Sequence, residues 1–250
     1  EIEDYGQDKA DWLKTFLDLP NGIPSHDTFN RVFALLDAKV FHACFLRWVE
    51  SLKEKLDLSI IAMDGKTLRR SHDRKGDKGP LHLVSAWATE SAMMLAQLKT
   101  SEKSNEITAI PQLLDLLVIK GCVVTMDAMG CQKEIAEKIV EKEGDYVLAL
   151  KGNQGRLFEA VVSFFTEAAS KLFKVEGLDT HESDEESAHG RRETRRCYAF
   201  AAPIWMWGIC LWKGIQSIVM VESDRLVEGL LTTERRYYLS SLAPQAEFLG

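Results

Sequence analysis

The order of apolar segments between residues 58 and 173 constrains the fold of this chain more than any other feature. Five runs are typical of strands: 58–64, 81–89, 93–100, 122–128 and 145–152. Segments typical of helices follow the third, fourth and fifth of them, at 106–121, 131–144 and 154–173. A meander of three strands, followed by two strands reached through helices, predicts an α/β fold with a mixed five-stranded sheet flanked by helices. Because such crossovers are right-handed, the fourth strand should lie beside the first and parallel to it.

The regions on either side of this pattern differ in character. Apolar residues recur at helical spacing before the first strand, with Ser25 or Asp27 as the N-cap, so residues 1–56 are predicted to form a small helical region. The remaining residues, 57–250, are expected to form the α/β domain. After a polar, acidic segment that we interpret as a loop (174–190), three strand-like segments predict a β-rich insertion near the C-terminus.

Composition excludes several functional classes. The 250 residues carry a formal net charge of −7, which argues against a uniformly basic nucleic-acid binder. No apolar run reaches the roughly 18 residues that a membrane-spanning helix requires, so no membrane partner is expected. The five cysteines form no CxxC pair, which indicates neither a zinc site nor a disulfide framework, and we expect a cytoplasmic location.

Two of the strand-like runs end in the same way. "IIAMDGK" and "VVTMDAMG" each place an aspartate, Asp64 and Asp127, after a short run of apolar or small residues. Parallel neighbouring strands lie about 4.8 Å apart, so the two carboxylates should meet at the carboxyl edge of the sheet, where ligands of open α/β sheets bind. Two such carboxylates suit a divalent ion, Mg²⁺ or Mn²⁺, with substrate phosphate as a further ligand. The alternative is that each aspartate only forms a turn or caps the next helix.

Basic residues follow the first aspartate and recur in the C-terminal insertion. Their density next to a predicted metal site favours contacts with phosphate, although charged runs are also typical of solvated loops. The predicted DNA-binding residues are Lys66, Arg69, Arg70, Arg74, Lys75, Lys151, Arg191, Arg192, Arg195 and Arg196. For Lys151, at the end of the fifth strand, the alternative is a polar strand-to-helix turn. Glu193 is either a third acidic ligand or an ion-pair partner of its arginine neighbours on an exposed strand, and from the residues alone we favour the ion pair.

Five segments together resemble the DDE transposases of bacterial insertion sequences, in particular the H-repeat-associated (ISAs-type) proteins. They are "AMDGKTLRRS", "EKSNEITAIPQLLDLL", "KGCVVTMDAMGCQKEIA", "YVLALKGNQ" and "HGRRETRR". The resemblance runs from about residue 8 to 243, and the two aspartate motifs, 63 residues apart (127 − 64), are highly specific together. It implies a ribonuclease-H-like core behind an N-terminal associated helical domain. It also implies Mg²⁺-dependent cutting and joining of transposon DNA ends, with Asp64 and Asp127 as the first two acidic residues of a catalytic triad.

The chain departs from the family pattern at two points. Arg70 stands where the family usually has glycine, and the pattern "HW-x-IEN", which carries the third acid, is absent. Glu193 is the best substitute for that acid within this chain. We therefore expect a C-terminally incomplete catalytic domain that binds the metal weakly and cuts DNA poorly or not at all.

Three functional hypotheses are compatible with these residues. The first is a transposase that cleaves insertion-sequence DNA and transfers its strands. The second is a catalytically inactive remnant that keeps the fold and DNA binding, and the third is a general metal-dependent nuclease. The sequence leaves open whether the protein forms a homodimer.

Overall fold

The computed structural model describes residues 1–52, 59–67, 82–100, 106–188, 191–227 and 229–250. Tertiary contacts divide the chain into two compact units, Glu1–Leu52 and Lys53–Gly250. Across the ranges that the structure describes, every helix is too short or too polar to cross a lipid bilayer.

The first unit consists of helices joined by connecting segments. Their bounds are Ile2–Asp8 (α1), Ala10–Leu13 (α2), His26–Leu35 (α3) and Ala38–Leu52 (α4). Ser25 is the N-cap of α3, because its Oγ accepts a hydrogen bond from the backbone N–H of Thr28 at 3.4 Å. The backbone N–H of His26 donates to the Glu3 carboxylate at 2.7 Å, which ties α1 to the start of α3.

The second unit is built around one large sheet. Its strands are Ile60–Thr67 (β1), His82–Ala88 (β2), Met93–Thr100 (β3), Val123–Met126 (β4), Asp145–Leu150 (β5), Leu178–Glu182 (β6), Glu186–Ala188 (β7), Arg191–Ala201 (β8), Ser217–Val227 (β9) and Leu230–Ser240 (β10). Its helices are Glu106–Asp115 (α5), Lys133–Glu141 (α6), Gly155–Ser170 (α7) and Ala246–Leu249 (α8), with short 3₁₀ turns at Gly152–Gln154 and Ile209–Leu211. Buried and part-exposed residues alternate along β5, where Tyr146, Leu148 and Leu150 are buried, as expected for a strand with one face in the core.

The strands are ordered β3-β2-β1-β4-β5-β10-β9-β8-β6, and β7 also pairs with β8. β1, β4 and β5 run parallel to one another, and the other neighbouring strands are antiparallel. The predicted parallel pairing of the first and fourth strands is confirmed, with Ile60–Met63 opposite Val123–Met126. The mixed α/β class predicted from the sequence is confirmed with it.

The sheet differs from the sequence-based expectation in two ways. Within the described residues it has ten strands rather than five, because Tyr237–Ser240 of β10 pairs with Val147–Leu150 of β5 and joins the predicted insertion to the same sheet. The segment 174–190 contains β6 and β7 rather than only a loop. β6 lies at the edge of the sheet and has no buried residue, so it lacks the apolar alternation by which strands are recognised in a sequence.

α7 packs where the two parts of the sheet meet. It buries Leu157, Val161, Phe165 and Ala168, which recur at helical spacing. The ring of Phe165 lies 6.1 Å from that of Tyr237 on β10, measured between centroids. Because β10 pairs with β5 at this point, the helix contacts the junction that holds the C-terminal strands to the parallel strands.

Candidate active site

The pairing of β1 with β4 brings the two predicted aspartates side by side. Met63 lies opposite Met126 in the parallel register, so the next residues along the two strands are Asp64 and Asp127. Both side chains are exposed, and both line one cleft of about 870 Å³ in the second unit. The sequence suggested that Asp64 ends its strand. In the structure, β1 continues past Asp64 to Thr67, because it also pairs with β2 on its other edge. We refer to this side of the cleft as the β1–β4 wall.

The two carboxylates of the β1–β4 wall differ in how far the protein already engages them. Asp127 Oδ1 accepts hydrogen bonds from the backbone N–H groups of Met129 at 3.0 Å and Gly130 at 3.4 Å. This is the turn-forming role that the sequence left as an alternative, and it leaves Oδ2 without a hydrogen bond among the described residues. Asp64 has no hydrogen-bond or ion-pair partner in the same ranges. Carboxylate oxygens free to accept a ligand therefore lie on β1 and directly after the adjacent strand β4.

The turn after Asp127 is held in place by the segment that follows β5. The side-chain amide of Asn153 donates to the carbonyl oxygen of Ala128 at 2.6 Å. The side-chain amide of Gln154 donates to the backbone carbonyl oxygen of Cys131 at 2.8 Å. Both amides belong to the 3₁₀ turn after β5. The sequence indicated this segment as a phosphate-binding candidate or a polar turn, and its role in positioning the second aspartate was missed.

Close packing restricts the same turn further. A Cβ atom at Gly130 would lie 2.6 Å from Met126 Sδ and 2.8 Å from Met126 Cβ, so a side chain here would force Met126 to move. Cys131 is fully buried, and this burial, with a smaller effect of the Asp127 charge, raises the pKa of its thiol to about 12. The thiol is therefore protonated at neutral pH, which argues against a cysteine nucleophile at this position.

Glu193 lines the same cleft from β8, but both of its oxygens are engaged. It is only 3% exposed, and its Oε1 accepts from Arg195 Nε at 3.0 Å while Oε2 accepts from Arg225 Nε at 3.1 Å. Burial acts to raise the pKa of Glu193, but the hydrogen bonds and charges of the two arginines outweigh it and hold this pKa below its ordinary value. The ion pair favoured from the sequence is present, at a buried position rather than on an exposed strand.

The part of the cleft lined by β8, β9 and β10, which we call the β8–β10 wall, is rich in arginine. Of the basic residues predicted to bind DNA, Arg195 lines this wall and Lys151 lines the cleft at the end of β5. Three more arginines that the sequence did not single out also line it: Arg225, Arg235 and Arg236. In the sequence Arg225 follows an aspartate, and the pair Arg235 and Arg236 follows a glutamate, so none of them belongs to a recognisable basic run.

The remaining predicted basic residues lie elsewhere. Lys66 is exposed on β1, and Arg192 on β8 pairs with Glu185 at 3.7 Å. Arg196 lines a separate groove beside Tyr198, and three carboxylates engage its guanidinium: Glu182, Glu222 and Asp224. Arg191 begins β8. Four predicted residues fall outside the described ranges: Arg69, Arg70, Arg74 and Lys75.

Family models match nearly all of the chain. The model described as "DDE_Tnp_1-associated" matches residues 1–49, and the model described as "Transposase DDE domain" matches residues 55–241. Together they cover both compact units of the structure.

Curated relatives match over most of the chain as well. "H repeat-associated putative transposase YhhI" of Escherichia coli is 41% identical over 256 residues, covering 99% of this chain and 66% of the relative. "Uncharacterized protein in dhlA 3'region" of Xanthobacter autotrophicus is 43% identical over 246 residues, covering 96% of this chain and 80% of the relative. The chain thus spans from about two thirds to four fifths of the length of these two proteins.

Solved structures show only a distant likeness. The synaptic complex of piggyBac transposase with hairpin DNA aligns at a TM-score of 0.37 and 11% identity, covering 94% of this chain and 47% of that chain. A likeness of this size adds nothing to the assignment, which rests on the sequence matches. The match to the transposase DDE domain over residues 55–241, together with relatives more than 40% identical, shows that the chain belongs to the DDE transposase family and that H repeat-associated proteins are among its relatives.

Proposed function

We propose that this chain contains the catalytic core of an insertion-sequence transposase, which cleaves transposon DNA ends and transfers them to target DNA in a metal-dependent reaction. The observation that carries the proposal is the position of Asp64 on β1 and of Asp127 directly after the neighbouring parallel strand β4, where both line one cleft. Ligands of α/β sheets bind outside the carboxyl ends of such strands. Membership of the DDE transposase family makes DNA the expected substrate.

The arrangement of the strands supports a ribonuclease-H-like core within this domain. β3, β2, β1, β4 and β5 are neighbours in that order, and only β2 and β3 run against the other three. The family resemblance implies a core of the same kind. In this assignment the strands β6–β10 are the insertion that supplies the second wall of the cleft, and the first unit is the transposase-associated domain.

The donor atoms of the β1–β4 wall fit a hard divalent cation, Mg²⁺ or Mn²⁺. Mg²⁺ is commonly held by one or two carboxylates, with water and substrate phosphate completing its ligands. Asp64 and Asp127 offer two such carboxylates, whereas no group of three or more His, Cys, Asp or Glu side chains suited to a metal occurs among the residues that the structure describes. When bound, the cation supplies Lewis-acid stabilisation of the charge that develops on the scissile phosphodiester.

The protein's own groups supply position and charge around that site. Asn153 and Gln154 fix the turn that carries Asp127, so the carboxylate does not have to be ordered when the substrate arrives. Lys151 and Arg195, on the surface of the cleft, bind DNA phosphates and set the register of the strand.

Glu193 is not a metal ligand in this proposal. Each of its oxygens already accepts a hydrogen bond from an arginine, so metal binding would require Arg195 or Arg225 to be displaced from a buried ion pair. Breaking a buried pair leaves an uncompensated charge, which is strongly unfavourable. The described residues therefore supply two acidic ligands to the site, in line with the expectation of weak metal binding.

A strand-nicking assay on matched transposon-end DNA tests the proposal. Nicking with Mg²⁺ or Mn²⁺ should be lost in Asp64→Asn and Asp127→Asn, which remove a negative charge with little change of shape. Asp184→Asn is the matched control, because Asp184 is an exposed acid that does not line the cleft. Nicking that survives Asp64→Asn would contradict the proposal. DNA binding without nicking in any version would instead favour the inactive remnant.

A further inference from the structure

A groove of about 280 Å³ lies beside β6, on the opposite face of the sheet from the candidate active site. Neighbouring residues of a strand point to opposite faces, and Arg196 lines this groove while Arg195 lines the cleft. A molecule in the groove therefore does not occupy the cleft that contains Asp64 and Asp127. We call this cavity the β6 groove, and its lining includes Leu172, Phe173, Thr180, Glu182, Arg196 and Tyr198.

One part of the β6 groove is apolar and is formed by the turn that follows α7. Phe173 stacks on Tyr198 with ring centroids 3.9 Å apart, and Leu172 beside it is 76% exposed. Both Leu172 and Phe173 have a left-handed backbone, with φ of 52° and 56°, which is unfavourable for bulky side chains. The ring stack accounts for Phe173. The exposed Leu172 has no such packing role, which indicates that its side chain serves a contact outside the chain.

The other part of the β6 groove is acidic. Three carboxylates accept hydrogen bonds from the Arg196 guanidinium: Glu182 and Asp224 at 2.7 Å, and Glu222 at 3.2 Å. Arg235 shares Glu222, so three carboxylates against two guanidiniums leave one negative charge in excess. Glu182 is 59% exposed, and its Oε1 has no partner among the described residues. The excess charge is therefore accessible from the groove.

Tyr198 adds a polar group that the protein does not use. Its side chain is only 6% exposed and lines the groove, yet its hydroxyl has no hydrogen-bond partner in the described part of the chain. Burial, with a smaller effect of the Glu222 charge, raises the pKa of Tyr198, so the hydroxyl stays protonated at neutral pH. Leaving a buried hydroxyl without a partner is unfavourable. A ligand with N–H donors would satisfy it.

β6 also presents an open edge beside the groove. Among the described strands, it pairs with β8 on one side and ends the sheet. Thr180 and Glu182 lie opposite Tyr198 and Arg196, so both are on the groove face of β6. An extended peptide that adds to such an edge directs alternate side chains to that face. Four of the five residues 182–186 are acidic, which favours a basic peptide.

We propose that the β6 groove binds a lysine or arginine side chain of a partner protein, presented by an extended segment that pairs with the open edge of β6. A long basic side chain joins an apolar stem to a cationic donor. The stem packs against Leu172 and Phe173, and the charged end donates to Glu182 and to the Tyr198 hydroxyl. DNA does not suit this groove, because its excess negative charge repels phosphate.

The competing interpretation is that the acids only protect the exposed edge of β6 from pairing, a role that charged residues commonly have at sheet edges. In that case a basic peptide would be attracted by general surface charge alone. Removing any nearby acid would then have the same small effect, and the Tyr198 hydroxyl would not matter.

The test is binding of a short fluorescein-labelled peptide, in which arginine alternates with threonine, to the whole chain, measured by fluorescence anisotropy. Glu182→Gln should weaken binding by at least about tenfold, and Arg196 keeps two other carboxylates in this variant. Tyr198→Phe should weaken it by about threefold to tenfold, the range for one hydrogen bond. Glu176→Gln is the control, because it removes an exposed acid outside the groove and should change the affinity less than about twofold.

Leu172→Gly separates binding from stability. It relieves the left-handed backbone and removes the apolar contact, so it should weaken peptide binding without lowering the Tm. Unchanged affinity in both Glu182→Gln and Tyr198→Phe would overturn the groove as the binding site. Equal binding of a peptide with glutamine in place of arginine would overturn the preference for a basic side chain. Equal binding of a peptide with methylated backbone amides would overturn the pairing with β6.

Discussion

The two walls of the cleft use the same chemical group in opposite ways. On the β1–β4 wall, Asp64 and Asp127 keep carboxylate oxygens without partners among the described residues. On the β8–β10 wall, Glu193 has an arginine on each oxygen. All three acids line one cleft, so sharing a cleft does not decide which of them can bind a metal. We infer that the partners already present on each carboxylate decide it.

The largest loss of stability should come from Glu193→Gln, because the change leaves two guanidiniums beside each other without a countercharge. The pKa of Glu193 in the folded protein lies below its ordinary 4.5, so its contribution is fully present above about pH 4.5 and is lost as the pH falls through the folded value. The Tm of the wild type should exceed that of the variant by a constant amount near neutral pH, and this difference should shrink in acid.

Thermal unfolding followed by circular dichroism across that pH range checks the prediction. Glu159→Gln, which changes an exposed acid on α7, is the control and should show little difference at any pH. A Tm difference between wild type and Glu193→Gln that stays the same from neutral pH into strong acid would contradict the ion-pair account of the β8–β10 wall.

On the β1–β4 wall, Gly130→Ala should lower the free energy of unfolding by about 1–3 kcal/mol, the usual cost of overpacking. The added Cβ would meet Met126 at 2.6 Å, next to the turn that carries Asp127, so nicking should fall as well. Gly152→Ala is the matched control, since nothing lies within 4 Å of its Cβ position. Urea denaturation of both variants measures the difference, and equal stabilities would show that the turn is not tightly packed.

Asn153→Ala should have a smaller effect on stability, about 1 kcal/mol, because it removes one hydrogen bond to the turn after Asp127. Mn²⁺ affinity should fall with it, because the second aspartate is then less well positioned. Asn21→Ala, at an exposed position of the first unit, is the control. If metal affinity were unchanged in Asn153→Ala, the turn would not depend on this contact.

The smallest effect expected is on DNA affinity in Glu234→Gln. Glu234 is half-exposed and pairs with both Nε and Nη2 of Arg236, at 2.9 and 3.0 Å. Releasing Arg236 for phosphate should tighten metal-free DNA binding by about threefold, the scale of an exposed ion pair. Weaker binding would mean that Glu234 positions Arg236 rather than masking it.

The β1–β4 wall could be predicted from the sequence because it depends on two local motifs and on the order of the strands. Two similar strand–aspartate motifs, combined with the handedness of crossover connections, are enough to place Asp64 beside Asp127. The sequence did not predict how far β1 extends, because the strand continues past Asp64 through hydrogen bonds to β2. The sequence also did not predict that Asn153 and Gln154 hold the Asp127 turn, because these hydrogen bonds join residues 23 to 25 positions apart and follow no sequence pattern.

The β8–β10 wall was harder to predict because its contacts lie between distant segments. Glu193 meets Arg225 across 32 residues, and Arg225 and Arg235 belong to no basic run. The joining of β10 to β5 is another long-range pairing, which is why one sheet of ten described strands was predicted as a sheet and an insertion. Local charge density selected Arg195, which lines the cleft, but it also selected Arg196, which three carboxylates engage in a separate groove.

The central claim, that Asp64 and Asp127 act together on one divalent ion, is tested most directly by Mn²⁺ titration of the wild type, Asp64→Asn, Asp127→Asn and the double variant. Ligands of one ion are energetically coupled, so their effects should not add. We expect each single change to raise the Kd by at least about tenfold and the double change to be little worse than either. Wild-type affinity in either single variant, or a double variant whose loss equals the sum of the two single losses in free energy, would contradict the shared site.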